Sequence, residues 1–457
     1  MRSRKTSAFV VGTAAAILAA TAVSPASAAT ATSTHYTGTL ADGATWIADV
    51  PTNWNGTLVL FAHGFGPLVA QDAATPQAGA ELLAQGYALA GSSYDPNGSW
   101  WALNSAVQDQ FATIAAFGKQ IGKPRRTIST GESMGGLINT IVSQDGGGII
   151  AGSVTFCGLV AGGVDLTDYE LNGEYAIKTL IPGASGVQLR DYSSLAQGQA
   201  QGTALQNAVA AAQSTTAGRA RIALSAALLN ETDWATGASA PAANDYARQE
   251  QQEEATLTGG QLAFIEAAEY SIEQAVGGDP ASNAGVDYAA LIRSSPYYNQ
   301  IKTLYKQAGL SLDADLATLN QGATYRSEGD SLLNTERTSA NTGYLPIPEL
   351  DVHTLSDQLI PVQQENAYAQ RVREAGDSAN LRQAYTASIG HCNFTSADVV
   401  AAVDAVVQRV QTGHWGQSAG TASLNTAADA LAGLGGGNFV DDRPTKLIVQ
   451  PNPFYRG

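Results

Sequence analysis

The sequence predicts an α/β protein, with a mostly parallel central sheet, helices on both faces and a large helical insertion. Three observations predict it. Strand-like and helix-like runs alternate up to about residue 163 and resume after about residue 346, the pattern of parallel strands joined by crossover helices. Between those limits the chain is helical, polar and rich in Ala and Gln. Five residues, Gly131-Glu132-Ser133-Met134-Gly135, join a strand-like run (Thr127 to Ser129) to a helix-like one (Met134 to Val142).

The elements follow in order. Arg2, Arg4 and Lys5 precede an apolar run from Ala8 to Val23 and the small-x-small site Ala26-Ser27-Ala28. This reads as a secretory signal peptide cleaved after Ala28. The run is short for a span of about 20 residues and no basic flank follows it, which argues against a stable membrane anchor. Residues 36–50 alternate as a hairpin would, with Trp46, Ile47 and Val50 expected inside. Thr57 to Ala62 is continuously apolar, as a fully buried strand is, and ends in His63-Gly64-Phe65-Gly66-Pro67. Tyr87 to Ala90 is the next strand. From about Ala106, Val107, Phe111, Ile114, Phe117 and Ile121 recur at helical spacing. The strand Ile149 to Phe156 ends at Cys157.

Inside the insertion, Leu262, Ile265, Ala268, Ile272 and Val276 form one amphipathic stripe. Tyr288, Leu291 and Ile292 begin another segment, continued after Pro296 by Tyr297, Tyr298, Ile301, Leu304 and Tyr305. Strands return at Pro348 to Thr354 and at Leu381 to Ser388. A last helix runs from about Ser396 to Val410, with Thr395 and Asp398 spaced to cap it. After Gly413 the chain is Gly-rich and weakly patterned, a surface tail. The expected divisions are a signal peptide (1–28), a first core segment (29–163), a helical cap (164–345), a second core segment (346–412) and the tail (413–457).

The net charge is −16 and no basic cluster is present, which argues against nucleic acid as a partner and against polyanionic substrates. An exported chain folds in an oxidising compartment, so its two cysteines, Cys157 and Cys392, are expected to form a disulfide. Two cysteines, five scattered histidines and no HExxH leave no zinc motif; no metal or cofactor is expected.

The chemistry is expected at the Gly-x-Ser-x-Gly turn. A serine hydroxyl on a tight strand-to-helix turn stands clear of the sheet, before the positive end of a helix. It needs a base and the base needs a carboxylate. His391, in Gly390-His391-Cys392 just past a strand, is the best base. His353 lies inside an apolar strand, His35 and His414 lie near the ends of the mature domain, and His63 is placed to shape its glycine loop. The carboxylate is expected to be Asp357, in a turn beyond a strand; Asp351, pointing out of the middle of that strand, is its competitor. The backbone N–H groups of Met134 and Phe65 are placed to bind an oxyanion. Trp100 and Trp101 either wall an apolar pocket or pack in the core.

The order Ser133, Asp357, His391, with the His-Gly loop and the late histidine, resembles the α/β-hydrolases over residues 36–163 and 346–411. The resemblance implies a serine hydrolase that forms an acyl-enzyme on a carboxylic ester in a small or oligomeric substrate. The alternatives are an amidase or exopeptidase of the same fold, or a protein that binds without catalysis. The central helices resemble the cap that such enzymes insert after the sixth strand. The cysteine beside His391 is similar to that of tannase and feruloyl-esterase relatives, in which a disulfide ties the residue before the serine to the residue after the histidine. Here Glu132 occupies the serine-side position, which is also similar to the Gly-Glu-Ser of carboxylesterases and serine carboxypeptidases.

Overall fold

The computed structural model describes residues 32–454. The signal-peptide assignment lies outside them. The sheet has nine strands in the order β1-β2-β4-β3-β5-β6-β7-β8-β9. Strands β1 (Ser33–Thr39) and β2 (Thr45–Pro51) pair antiparallel as the expected hairpin, and β2 joins β4 (Ala88–Ser92) antiparallel. Strands β3 (Thr57–Ala62), β4, β5 (Arg126–Glu132), β6 (Gly152–Phe156), β7 (Glu349–Ser356) and β8 (Leu381–Ile389) are parallel neighbours in sheet order. This is the α/β-hydrolase fold. Every residue of β3 is buried, as a strand covered on both faces requires.

In β2, Trp46 and Ala48 are buried, whereas Ile47 and Val50 are only half-buried. Side chains alternate along a strand, so Ile47 cannot share the inward face of Trp46 and that expectation is corrected, whereas Val50 does share it and packs half-buried against the Trp46 cluster.

Helix α1 (Pro76–Ala84) covers the link between β3 and β4 and escapes the apolar pattern. Its signal is local: Thr75 accepts from the Ala78 amide as N-cap and Pro76 opens the helix. Helices α2 (Ala106–Gln120) and α3 (Met134–Asp145) complete the first segment.

Between β6 and β7 the chain forms α4 (Gly163–Leu180), α5 (Leu195–Ala212), α6 (Thr216–Leu229), α7 (Tyr246–Thr256) and α8 (Leu262–Val276). These are followed by α9 (Tyr288–Ser294), α10 (Tyr298–Ala308), α11 (Leu312–Gly322) and α12 (Ser331–Ser339). The insertion has an apolar core of its own, including Ile177, Leu205, Leu224, Leu262 and Ile301. Helix α13 (Gln364–Ala375) links β7 to β8, and α14 (Ser396–Thr412) carries the Thr395–Asp398 capping box.

The tail is more than a loose surface segment. It forms α15 (Thr421–Asp429) and a short strand β9 (Phe439–Val440) that closes the β8 edge antiparallel. Beyond β9, Leu447 and Ile448 are 2% exposed. The Ile448 amide donates to Asn230 Oδ1 at 2.6 Å, and Asn230 Nδ2 donates to the Ile448 carbonyl at 3.0 Å. Asn452 donates to Asp165 at 3.2 Å. Irregular backbone can be held by side-chain amides, and such contacts leave no periodicity in the sequence. Among the described residues no helix is long and apolar enough to cross a membrane.

Candidate active site

Ser133 follows β5 and serves as N-cap of α3, with φ 59° and ψ −125°. A positive φ on a non-glycine residue is strained and marks functional turns. The flanking glycines make the turn possible. A side chain at Gly131 would strike the Gly135 carbonyl, and one at Gly135 the Ala62 carbonyl at the end of β3. The helix start is thus pressed onto the sheet, with the serine at its tip.

The structure brings Ser133, His391 and Asp357 together. His391 Nε2 lies 2.8 Å from Ser133 Oγ, and His391 Nδ1 lies 2.8 Å from Asp357 Oδ2. Asp357 is buried, and its Oδ1 accepts from the amides of Leu359 and Ile360 at 2.9 and 2.8 Å. That leaves Oδ2 for the histidine. Burial alone would raise the pKa of Asp357. The neighbouring His391 and His353 outweigh it and hold the carboxyl well below the usual range.

Asp351, the competing carboxylate, lies in the middle of β7 and makes no hydrogen bond to His391 among the described residues. It is fully buried beside Glu365 and Glu349, and burial pushes its pKa well up.

Met134 opens α3, so its amide is among the first four helix donors left without an intrahelical acceptor. Gly64 abuts Ser133, since a side chain on Gly64 would meet Ser133 Cβ at 3.1 Å, and Phe65 lines the same cavity as Ser133 and Met134. His63 shapes that loop, as expected. Its ring stacks on Tyr94 at 4.2 Å and its Nδ1 lies 2.9 Å from the Gly64 carbonyl. His35 is exposed and pairs with Asp49, and His414 meets the Thr412 carbonyl.

The disulfide Cys157–Cys392 is present, with Cα atoms 5.4 Å apart. The sheet explains how it forms without a cysteine at position 132. Glu132 pairs with Phe156 across β5 and β6, and Cys157 is the next residue. The bridge therefore reaches the His391 loop from the neighbouring strand. Glu132 is half-buried; burial pushes it up to about 7, against the pull of His391.

A narrow cavity of about 30 Å³ adjoins Ser133. Its walls include Phe65, Trp101, Leu166, Glu170, Phe264 and Ile272. Trp101 thus does both things its sequence context allowed, being 3% exposed and also part of the wall. Trp100 meets Phe65 edge-on at 5.8 Å. Phe264, Ile265, Ala268 and Ile272 all come from α8, so the insertion covers the serine directly.

Two contributors were missed from sequence. His353, expected as a plain core histidine, is buried with Nε2 3.6 Å from Asp357 Oδ2 and Nδ1 2.9 Å from Glu365. Its spacing of four from Asp357 was the available signal. Glu170 lay on a helix whose inward face the sequence did not reveal.

A mostly parallel sheet, a strained serine at a strand-to-helix turn and a histidine–carboxylate pair against its hydroxyl define an α/β-hydrolase. More narrowly, the chain belongs to the Tannase-like family of unknown function, whose model matches residues 36–411. It is 28% identical over 427 residues to the o-phthalyl amidase of Xanthobacter agilis, across 87% of this chain and 91% of the amidase. Among solved structures it is similar to the rice cell wall degrading esterase LipA from Xanthomonas oryzae, at 13% identity and a TM-score of 0.40 over 82% of this chain and 90% of that one. It is also similar to feruloyl esterase B from Aspergillus oryzae, at 14% identity and a TM-score of 0.39 over 82% and 80%. The match to the Pyrococcus horikoshii acylaminoacyl peptidase, at 12% identity and a TM-score of 0.38, covers 80% of this chain, which spans only 38% of the peptidase.

Proposed function

We propose that the protein is an exported serine hydrolase that cleaves carboxylic esters through an acyl-enzyme. The hydrogen-bonded chain Ser133–His391–Asp357 carries the reading. In this mechanism His391 takes the Ser133 proton on Nε2 as the hydroxyl attacks the carbonyl. Asp357 fixes the tautomer through Nδ1 and stabilises the imidazolium. The amides of Met134 and Phe65 receive the oxyanion. His391 returns the proton to the leaving group, then activates water to free the acid. Helices α4 to α12 act as the lid, because α8 roofs the serine and the cavity of about 30 Å³ holds little more than one water. Substrate entry requires α8 to move.

A second reading is amide hydrolysis, favoured by the amidase relative aligned over most of both chains. The same Nε2 proton would serve a leaving amine. A panel of p-nitrophenyl esters set against acyl anilides separates the two. In either case Ser133→Ala and His391→Ala should each lower kcat by roughly 10³-fold or more, and the double variant by little beyond the worse single one. A folded Ser133→Ala protein that kept most of its turnover would remove the serine from the mechanism.

A further inference from the structure

Glu170 stands on α4 in the wall of the Ser133 cavity. It is 8% exposed, and its carboxyl makes no hydrogen bond to any described residue. A carboxyl that is buried, unpartnered and turned into a substrate cavity is costly unless something pairs with it. It is not alone. Glu174 follows one turn later on α4, and Glu266 and Glu269 face it from α8. Each of these three is buried, with its Oε1 lacking a partner. Lys178 acts electrostatically on Glu266, and no basic side chain lines the cavity. The wall is apolar near Ser133 and rich in buried carboxyls beyond it.

We propose that Glu170 receives a cationic amine on the acyl part of the substrate, making the enzyme selective for acyl groups with an apolar stem and an ammonium head. The inference rests on Ser133 as nucleophile, since that fixes which part of the substrate enters this cavity. Once α8 has moved to admit the substrate, the stem packs against Phe65, Trp101, Phe264 and Ile272, and the ammonium donates to the Glu170 carboxylate. An anionic head finds no cation in the cavity lining and meets only the carboxyls of Glu170 and, beyond it, Glu174, Glu266 and Glu269. A hydroxyl head can hydrogen-bond Glu170 but gains no charge attraction from it. Burial pushes Glu170 up to about 8, with Glu266 adding to it. A cation alongside favours the ionised form, so binding releases one proton from Glu170 to solvent.

The test compares p-nitrophenyl esters of 4-(aminomethyl)benzoate, 4-(hydroxymethyl)benzoate and 4-methylbenzoate on wild type and Glu170→Gln. The aminomethyl ester should exceed the methyl ester at least tenfold in kcat/KM in wild type. In Glu170→Gln, where the amide cannot ionise, that ratio should fall towards one. A wild-type ratio at or below one, a hydroxymethyl ester as the best substrate, or a ratio unchanged in Glu170→Gln would overturn the proposal. Binding is read separately from chemistry. Benzylammonium titrated calorimetrically into Ser133→Ala should bind more tightly than benzyl alcohol and release a proton; equal or weaker binding overturns the proposal whatever the serine does. Loss of the serine reading is seen instead as undiminished turnover in Ser133→Ala.

Discussion

Two histidines face the single carboxylate of Asp357. His391 takes one oxygen on the solvent side, and His353 lies behind it between Asp357 and Glu365. Burial alone would lower the pKa of His353, but its contacts with Asp357 and Glu365 outweigh burial and raise it to about 10. A buried cation between two carboxylates is stable only as a set, and removing one member leaves uncompensated charge. His353→Gln should therefore cost about 3–5 kcal/mol of unfolding free energy in urea titrations at neutral pH. The direction with pH follows from linkage. The folded pKa lies above the unfolded value of about 6.5, so the contribution is full below that value and is lost as pH rises through about 10. The gap between wild type and variant should narrow over that window, and a gap that widened with pH would contradict a charged His353.

At the scale of elements, the ends of β5, β6, β7 and β8 are clamped to one another. The disulfide closes a sequence separation of 235 residues, for which the chain-entropy account gives roughly 5 kcal/mol as an upper figure. It also anchors the residue next to His391, which otherwise depends on a turn. Reduction should lower turnover at denaturant concentrations where circular dichroism still reports a folded protein. Coincident loss of activity and structure would show that the bridge serves stability alone. The clamp was legible in the sequence because its parts sit at strand ends, where apolar runs stop at Cys157 and just before His391. The same reasoning found β3, β5, α3, α8 and α14, each marked by burial on both faces, a stripe or a cap. It missed α1, whose evidence is a capping threonine and a proline rather than a stripe. It missed the tail because a two-residue strand and a run held by asparagine and glutamine side chains have no period to read. Ile47 shows a third limit, since the facing of a strand residue depends on neighbours the local sequence does not name.

Over the whole molecule, the acids of the insertion set the response to pH. Burial raises Glu174, Glu269 and Glu253 well above the usual range and Glu266 to about 8. A carboxyl with a raised folded pKa holds its proton in the native state after the unfolded chain has lost it. Stability then falls as pH rises from about 4.5 towards about 8, by an order of 1 kcal/mol per pH unit for each group in its window. His353 acts in the same direction above about 6.5. The midpoint of thermal unfolding should fall between pH 5 and pH 8, and hydrogen exchange should quicken first in α4 and α8. A midpoint that rose across that range would mean the acids are paired in solution by something other than their own protons.

The residues that hold Asn230 lie 218 positions after it. The ribosome therefore makes the helices of the lid long before it makes the Ile448 backbone that fastens them. The partner of Ser133 is also late, following it by 258 positions. On the proposed mechanism, a nascent chain that has delivered everything up to β7 carries its serine under an unfastened roof, without the proposed base. On that mechanism the serine gains its base only when synthesis is nearly done, a timing set by chain topology.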